Sequence, residues 1–181
     1  LDKNKELLAG NASETRKILA SSKVLSDNLG ISTMFNQKLL QRVEENIENP
    51  DSLYKIVSES YYDTFNFLNN NGKGEIAVII LAGGWIEGLY LATQLADMSQ
   101  SKDEIVKGIA QQKFTVNALV PLLENYNESN NVAEILELIK QFQVVFEKVE
   151  SVDDELTMSE EVFQELLELA ETIRTEIVKT S

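Results

Sequence analysis

Ile76 to Met98 reads IAVIILAGGWIEGLYLATQLADM, and the assignment of this stretch decides the fold of the chain. The nineteen residues from Ile76 to Gln94 carry one formal charge, Glu87, a length and composition that could cross a bilayer. The flanks argue for burial in protein instead. NNNGKGE and SQSKDE bring neither an excess of Lys and Arg nor a pair of aromatic belts, and Trp85 sits in mid-segment rather than at an interface. An ionised Glu87 at the bilayer centre would also be costly. The neighbouring segments are amphipathic helices that each need an apolar partner, so the reading adopted is a central helix covered on all sides, the most buried of the chain.

Working outward, the punctuation is helical. A helix from about Asn4 to Asn28 stops at Gly30, which suits the left-handed position past a helix end. Ser32 or Thr33 is placed to cap a second helix with Phe35, Leu39, Leu40, Val43 and Ile47 on one face, ending at Asn49. Pro50 fits the first turn of a third, capped by Asn49, with Leu53, Ile56, Val57, Tyr61, Phe65 and Leu68 inward and a stop at Asn69 to Gly72. Beyond the central helix, Ser101 and Glu104 have capping-box spacing. Pro121 predicts a break between Phe114 and Asn117, with Thr115 capping a short helix through Tyr126. Val132 to Val149 forms the next helix, Glu150 to Met158 a loop, and Val162, Phe163, Leu166, Leu167, Leu169, Ala170, Ile173 and Ile177 the apolar face of the last. No segment carries a strand pattern.

The expectation is therefore an all-α protein, a single domain over residues 1–181, with six to eight helices around a buried central one. LLQRVEEN and DSLYKIV align with IVKGIAQQ and NALVPLL at an offset of 66, a pattern consistent either with two related three-helix units or with any two amphipathic helices.

Composition narrows function by exclusion. The chain has no His and no Cys, which removes Ser-His-Asp and Cys-His catalysis and the commonest metal ligands. A net charge of −14 argues against nucleic acid and against docking on anionic lipid. Fifteen acidic and four basic residues lie between Leu122 and Ser181; a basic partner could dock there, although solvated helix faces explain the imbalance as simply. Glu150, Asp153, Asp154 and Glu155 lack the alternating ligands and central Gly of a calcium loop, and the aromatics Tyr61, Tyr62, Phe65 and Phe67 surround a helix as packing does. No phosphate loop, dinucleotide fingerprint or metal spacing occurs, so no cofactor is expected.

What remains is the central helix. Gly84 and Gly88 have GxxxG spacing and predict a close helix crossing, which Gly84→Leu would overpack at about 1 to 3 kcal/mol. Glu87, Tyr90 and Gln94 share a narrow polar stripe, with Gly83 beside it. The stripe reads as the border of a groove, as a solvent edge, or as a satisfied hydrogen-bonded network. Glu87, Tyr90, Gln94 and Trp85 are the candidate ligand-binding residues; no catalytic or metal-binding residue is assigned.

The run LAGGWIEGLYLA, Leu81 to Ala92, together with Asp27-Asn28-Leu29-Gly30-Ile31-Ser32, resembles an all-helical lipoprotein family of the Bacteroidetes that has no assigned activity. The resemblance spans about Arg16 to Tyr126, with GGWIEG as its specific core. It implies an exported domain in the cell envelope, tethered through a lipidated Cys that follows a signal peptide. The chain opens at Leu1 without Met or an apolar leader, as a mature or trimmed form would, and any membrane association would run through that anchor. Three functions are consistent with these readings: an envelope module binding a protein or small molecule without turnover, an enzyme using Glu87 as acid or base with Tyr90 as donor, and a cytosolic regulatory domain.

Overall fold

The computed structural model describes residues 16–34, 36–152 and 155–180. It is 80% helical, so the protein is all-α. The chain divides into two compact units at Gly74/Glu75.

The first unit holds helices α1 (residues 16–28), α2 (Gln37–Glu45) and α3 (Pro50–Asn70); residues 4–15, expected to open α1, lie outside the described residues. Gly30 ends α1 with φ +68°. The Ile31 N–H reaches the Ser26 carbonyl at 2.9 Å and the Gly30 N–H that of Asp27 at 3.2 Å, the paired bonds that close a helix through a left-handed residue. Lys73 Nζ then donates to the Leu29 carbonyl at 2.7 Å. Gly72, at φ +70°, closes α3 in the same way, with the Lys73 N–H on the Leu68 carbonyl at 2.9 Å.

Helix α3 starts as expected, with the Asn49 side chain accepting from the Ser52 N–H at 3.0 Å and Pro50 in the first turn, where its missing N–H costs nothing. Helix α2 does not. Its cap is Asn36, which accepts from the Leu39 N–H at 3.0 Å, rather than Ser32 or Thr33, and it ends at Glu45 rather than Asn49. Asn is among the strongest caps, and a turn at residues 32–34 occupies the positions chosen from sequence; Phe35 lies outside the described residues. Leu39, Val43 and Ile56 form a small core with Leu19 and Leu53 against it. Val57, expected inward, is exposed, and Thr64 takes a buried place with its hydroxyl on the Ser60 carbonyl at 2.7 Å. Partial burial pushes the Tyr61 phenol up from 10.0 to about 12. The unfolded chain therefore loses this proton first, and stability contributed by Tyr61 falls as pH rises from about 10 toward 12. A phenolate absorbance titration that returned one ordinary pKa for every tyrosine would contradict this.

The second unit comprises α4 (Gly74–Met98), α5 (Lys102–Ala110), α6 (Gln112–Glu124), α7 (Asn130–Glu147), the strands β1 (Glu150–Val152) and β2 (Glu155–Thr157), and α8 (Glu160–Thr180). Its core collects Val78, Ala82, Ile86 and Leu89 from α4, Val116, Leu119 and Leu123 from α6, Phe142 and Phe146 from α7, and Phe163, Leu166 and Ile173 from α8. Helices α6 and α7 pack along each other, and α8 packs on α7. Ser129 at the head of α7 hydrogen-bonds Glu75 in the first turn of α4, while Lys113 Nζ donates to the Val149 carbonyl at 2.6 Å just past the end of α7.

Four expectations need correction here. Helix α4 is not covered on all sides: Gly83, Gly84, Gly88, Leu91, Leu95 and Met98 are exposed. It is the one helix among the described residues long and apolar enough to cross a membrane, and its residues are apolar beyond what its core-facing side requires. Ser101 caps α5 by position, but its side chain makes no capping bond, so the Ser101/Glu104 box does not form. The helix break falls at Gln111, three residues after Gly108 lowers helix preference, and Thr115 caps nothing; Pro121 sits inside α6. Proline is tolerated there because Asn117 and Pro121 are both exposed, so water can take the carbonyl that loses its N–H. Finally, the segment after α7 contains two short antiparallel strands, Glu150 opposite Thr157 and Val152 opposite Glu155, while Asp153 and Asp154 lie outside the described residues. Strands of three residues are too short for alternation to register in a sequence.

Candidate functional site

Helix α4 presents four faces, and the geometry of an α-helix at about 100° per residue sorts its side chains among them. Ala82, Ile86, Leu89 and Thr93 line the core side. Trp85, Gly88 and Ala92 turn to one flank, toward α5, while Glu87, Tyr90 and Gln94 turn to the other, toward α8. The four residues nominated from sequence therefore do not form one site. Trp85 belongs to a groove, and Glu87 and Tyr90 to an ion pair on the opposite flank.

The groove, of about 530 Å³, is bounded by Gly84, Trp85, Gly88, Leu89 and Ala92 of α4, Ile105, Gly108 and Ile109 of α5, and Gln112 of α6. None of these side chains is charged. Three glycines from two helices make its floor, and a Cβ added at Gly88 or at Gly108 would meet nothing within 4 Å. The GxxxG spacing thus opens a trough instead of seating a helix crossing, and the overpacking expected at Gly84 loses its basis. Gly88→Ala should raise stability by up to about 1 kcal/mol through helix preference alone; a fall in thermal midpoint at low protein concentration would mean that the floor is already filled.

Trp85 is held rigidly at the groove wall. Its Nε1–H donates to Gln112 Oε1 at 3.1 Å, and its ring stands edge-on to Phe142 at 5.3 Å with Phe146 at 6.2 Å. Both phenylalanines are buried, so the indole is locked from behind while remaining half-exposed in front. The Gln112 carboxamide accepts from the indole and keeps its amino group to donate.

On the other flank, Arg174 Nε donates to Glu87 Oε2 at 3.0 Å and a second guanidinium nitrogen lies 3.4 Å from Oε1. The same guanidinium stacks 4.7 Å from the Tyr90 ring centroid. Hydrogen bonding to Glu87, then its charge, raises the Arg174 pKa above its ordinary value. Gln94 is half-buried on this flank. Glu87 is thus a structural acceptor with a fixed cation, and it does not line the groove. With both side chains more than a third exposed, the pair is a surface bridge, screened by solvent and of little consequence for stability. Glu87→Gln should leave the denaturation midpoint close to that of the unsubstituted chain; a marked gain in stability would instead mark Glu87 as a strained functional group.

The sequence reading missed Gly108, Ile105, Gln112 and Arg174. Gly108 offered a signal, as a glycine within a helix that no turn requires. Arg174 offered another, as one of four cations amid fifteen carboxylates. Their pairing with α4 was not legible, because it depends on how α5 and α8 lie against it. In the first unit a smaller pocket of about 210 Å³ is edged by Thr33, Asn36, Lys38, Arg42, Ser60 and Asp63. Among the described residues, no group of three or more acidic side chains is placed to hold a metal ion.

The fold and site define an all-helical domain with an uncharged, glycine-floored groove walled by its single Trp. No protein-family model matches the chain, and neither does any curated protein or solved structure.

Proposed function

We propose that this chain is a non-catalytic helical interaction module of the cell envelope, and that the α4/α5 groove is the surface through which it takes an apolar helical partner. The observation that carries this reading is a trough without charge, open at Gly84, Gly88 and Gly108 and backed by an indole that Phe142 and Gln112 hold in place. Pre-organisation of this kind lowers the ordering cost of binding. The groove follows α4 from Gly84 to Ala92, about 12 Å at 1.5 Å per residue, so its volume corresponds to a cross-section of about 45 Å², near that of a helix sunk to half its depth. Helix-in-groove recognition reads anchors at such spacing. The envelope location rests on the resemblance carried by Leu81 to Ala92. An acid–base role for Glu87 loses support, since that carboxylate pairs with Arg174 away from the groove.

The chain contains one Trp, so its emission reports the groove directly. Titration with an uncharged, end-capped amphipathic Leu/Ala/Gln helical peptide should shift Trp85 emission and perturb the amide resonances of Gly84, Gly88 and Gly108. Gly88→Phe, which fills the floor, should abolish both effects. Silence of Trp85 and of the three glycines at all peptide concentrations would overturn the proposal.

A further inference from the structure

The outermost face of α4 carries a second pattern. Gly84, Gly88, Leu91, Leu95 and Met98 follow one another at spacings of four, three, four and three, the repeat of a helix–helix seam, and lie within about 80° of arc opposite the core line. All five are exposed, Leu91 and Leu95 at 57% and Met98 at 77%. The seam carries no charge, although the chain as a whole carries −14. Two glycines are thus followed along one line by knobs; both are exposed, and a Cβ at Gly88 would meet nothing within 4 Å.

Taking the proposed interaction surface as given, we infer that the partner helix is α4 of a second copy of this chain, packed antiparallel about a two-fold axis between Gly88 and Leu91. In that arrangement Leu91 faces the partner's Gly88 and Leu95 faces the partner's Gly84, so each isobutyl group enters a space where no side chain stands. An isologous interface demands such self-complementarity, and the order of small then large residues along α4 supplies it. A parallel pair would set glycine on glycine and leucine on leucine, leaving the knobs to collide while the holes stay empty. The seam and the adjoining groove wall from both copies would bury roughly 1,000 Å² in total, at the low end of specific interfaces. Association is therefore weak and reversible. Because the attraction is apolar and the surrounding net charge is repulsive, salt strengthens it.

The test is sedimentation velocity on the whole chain from about 10 μM to about 1 mM, the range in which an interface of this size dissociates. A concentration-dependent dimer is expected, tightened on going from about 0.05 M to about 0.5 M NaCl. Leu91→Glu and Leu95→Glu should each weaken it by at least about tenfold, because a carboxylate would be driven into an apolar hole. Val144→Glu, at an equally exposed site on α7, should leave it unchanged. Circular dichroism confirms that each variant is folded. Since the chain has no Cys, orientation is read by disulfide trapping. A mixture of Gly84→Cys and Leu95→Cys chains should cross-link between the two variants, whereas efficient cross-linking of Leu95→Cys to itself would signify a parallel pair and overturn the arrangement. A dimer untouched by both Glu substitutions would overturn the inference as well. A chain that stays monomeric at every concentration while the peptide still shifts Trp85 would overturn the dimer and leave the groove reading standing; a monomer with silent Trp85 would overturn both. Capture of the monomer by phosphatidylcholine vesicles, reversed by Leu91→Glu, would assign the seam to lipid and exclude the second copy as its occupant.

Discussion

Phe142→Ala is expected to destabilise the second unit by about 3 to 5 kcal/mol, the range for deleting a fully buried aromatic ring. Phe142 has no exposed surface and belongs to the same core as Ile86, Leu119 and Leu166. Its ring also stands edge-on to Trp85 at 5.3 Å, so the truncation removes the packing that fixes the groove wall. Two readouts should move together: the denaturant midpoint falls, and Trp85 emission in the folded state shifts to the red as the indole loses its backing. A variant that lost stability with unchanged Trp85 emission would separate the groove from the core and contradict this arrangement.

The second large effect contrasts two small residues of the same helix. Ala82 has no exposed surface and faces the core, whereas Gly88, six residues further along, opens on the groove. Ala82→Leu should cost about 1 to 3 kcal/mol, since three added carbons must be accommodated by side chains already in contact. Gly88→Ala should gain stability. Equilibrium unfolding of both variants decides the matter, and the result that would count against the structure is a tolerated Ala82→Leu beside a destabilising Gly88→Ala. That outcome would mean α4 is rotated relative to the faces assigned to it.

Much of the fold was legible in the chain. The stop at Gly30 was readable because a left-handed position past a helix end is cheap only for glycine. The start at Asn49-Pro50 was readable because cap and fixed φ coincide at one place. The inward residues of α8 followed from their period. Errors arose where two local signals competed: Asn36 won the capping of α2 over Ser32 and Thr33, and Pro121 was carried inside α6 because its lost bond faces water.

The candidate site was only half legible. Sequence set Glu87, Tyr90 and Gln94 on one stripe and added Trp85, but could not tell whether the stripe bordered a groove, met solvent or met a partner, since spacing within one helix does not say which neighbour lies beside it. The rotation came from α5, α6 and α8. Gly108 and Gln112 drew Trp85 into a groove, and Arg174 drew Glu87 and Tyr90 to the other side.

By itself, then, the sequence determined that the chain is helical, where α3 begins and α1 ends, and that His- and Cys-based chemistry is excluded, because these depend on residue type, local spacing and backbone preference. Only the tertiary structure decided which face of α4 stays open and that its glycines floor a groove. It also decided that Glu87 is paired with Arg174. Such facts depend on which distant segment occupies each side of a helix, and packing of side chains far apart in the chain sets that choice.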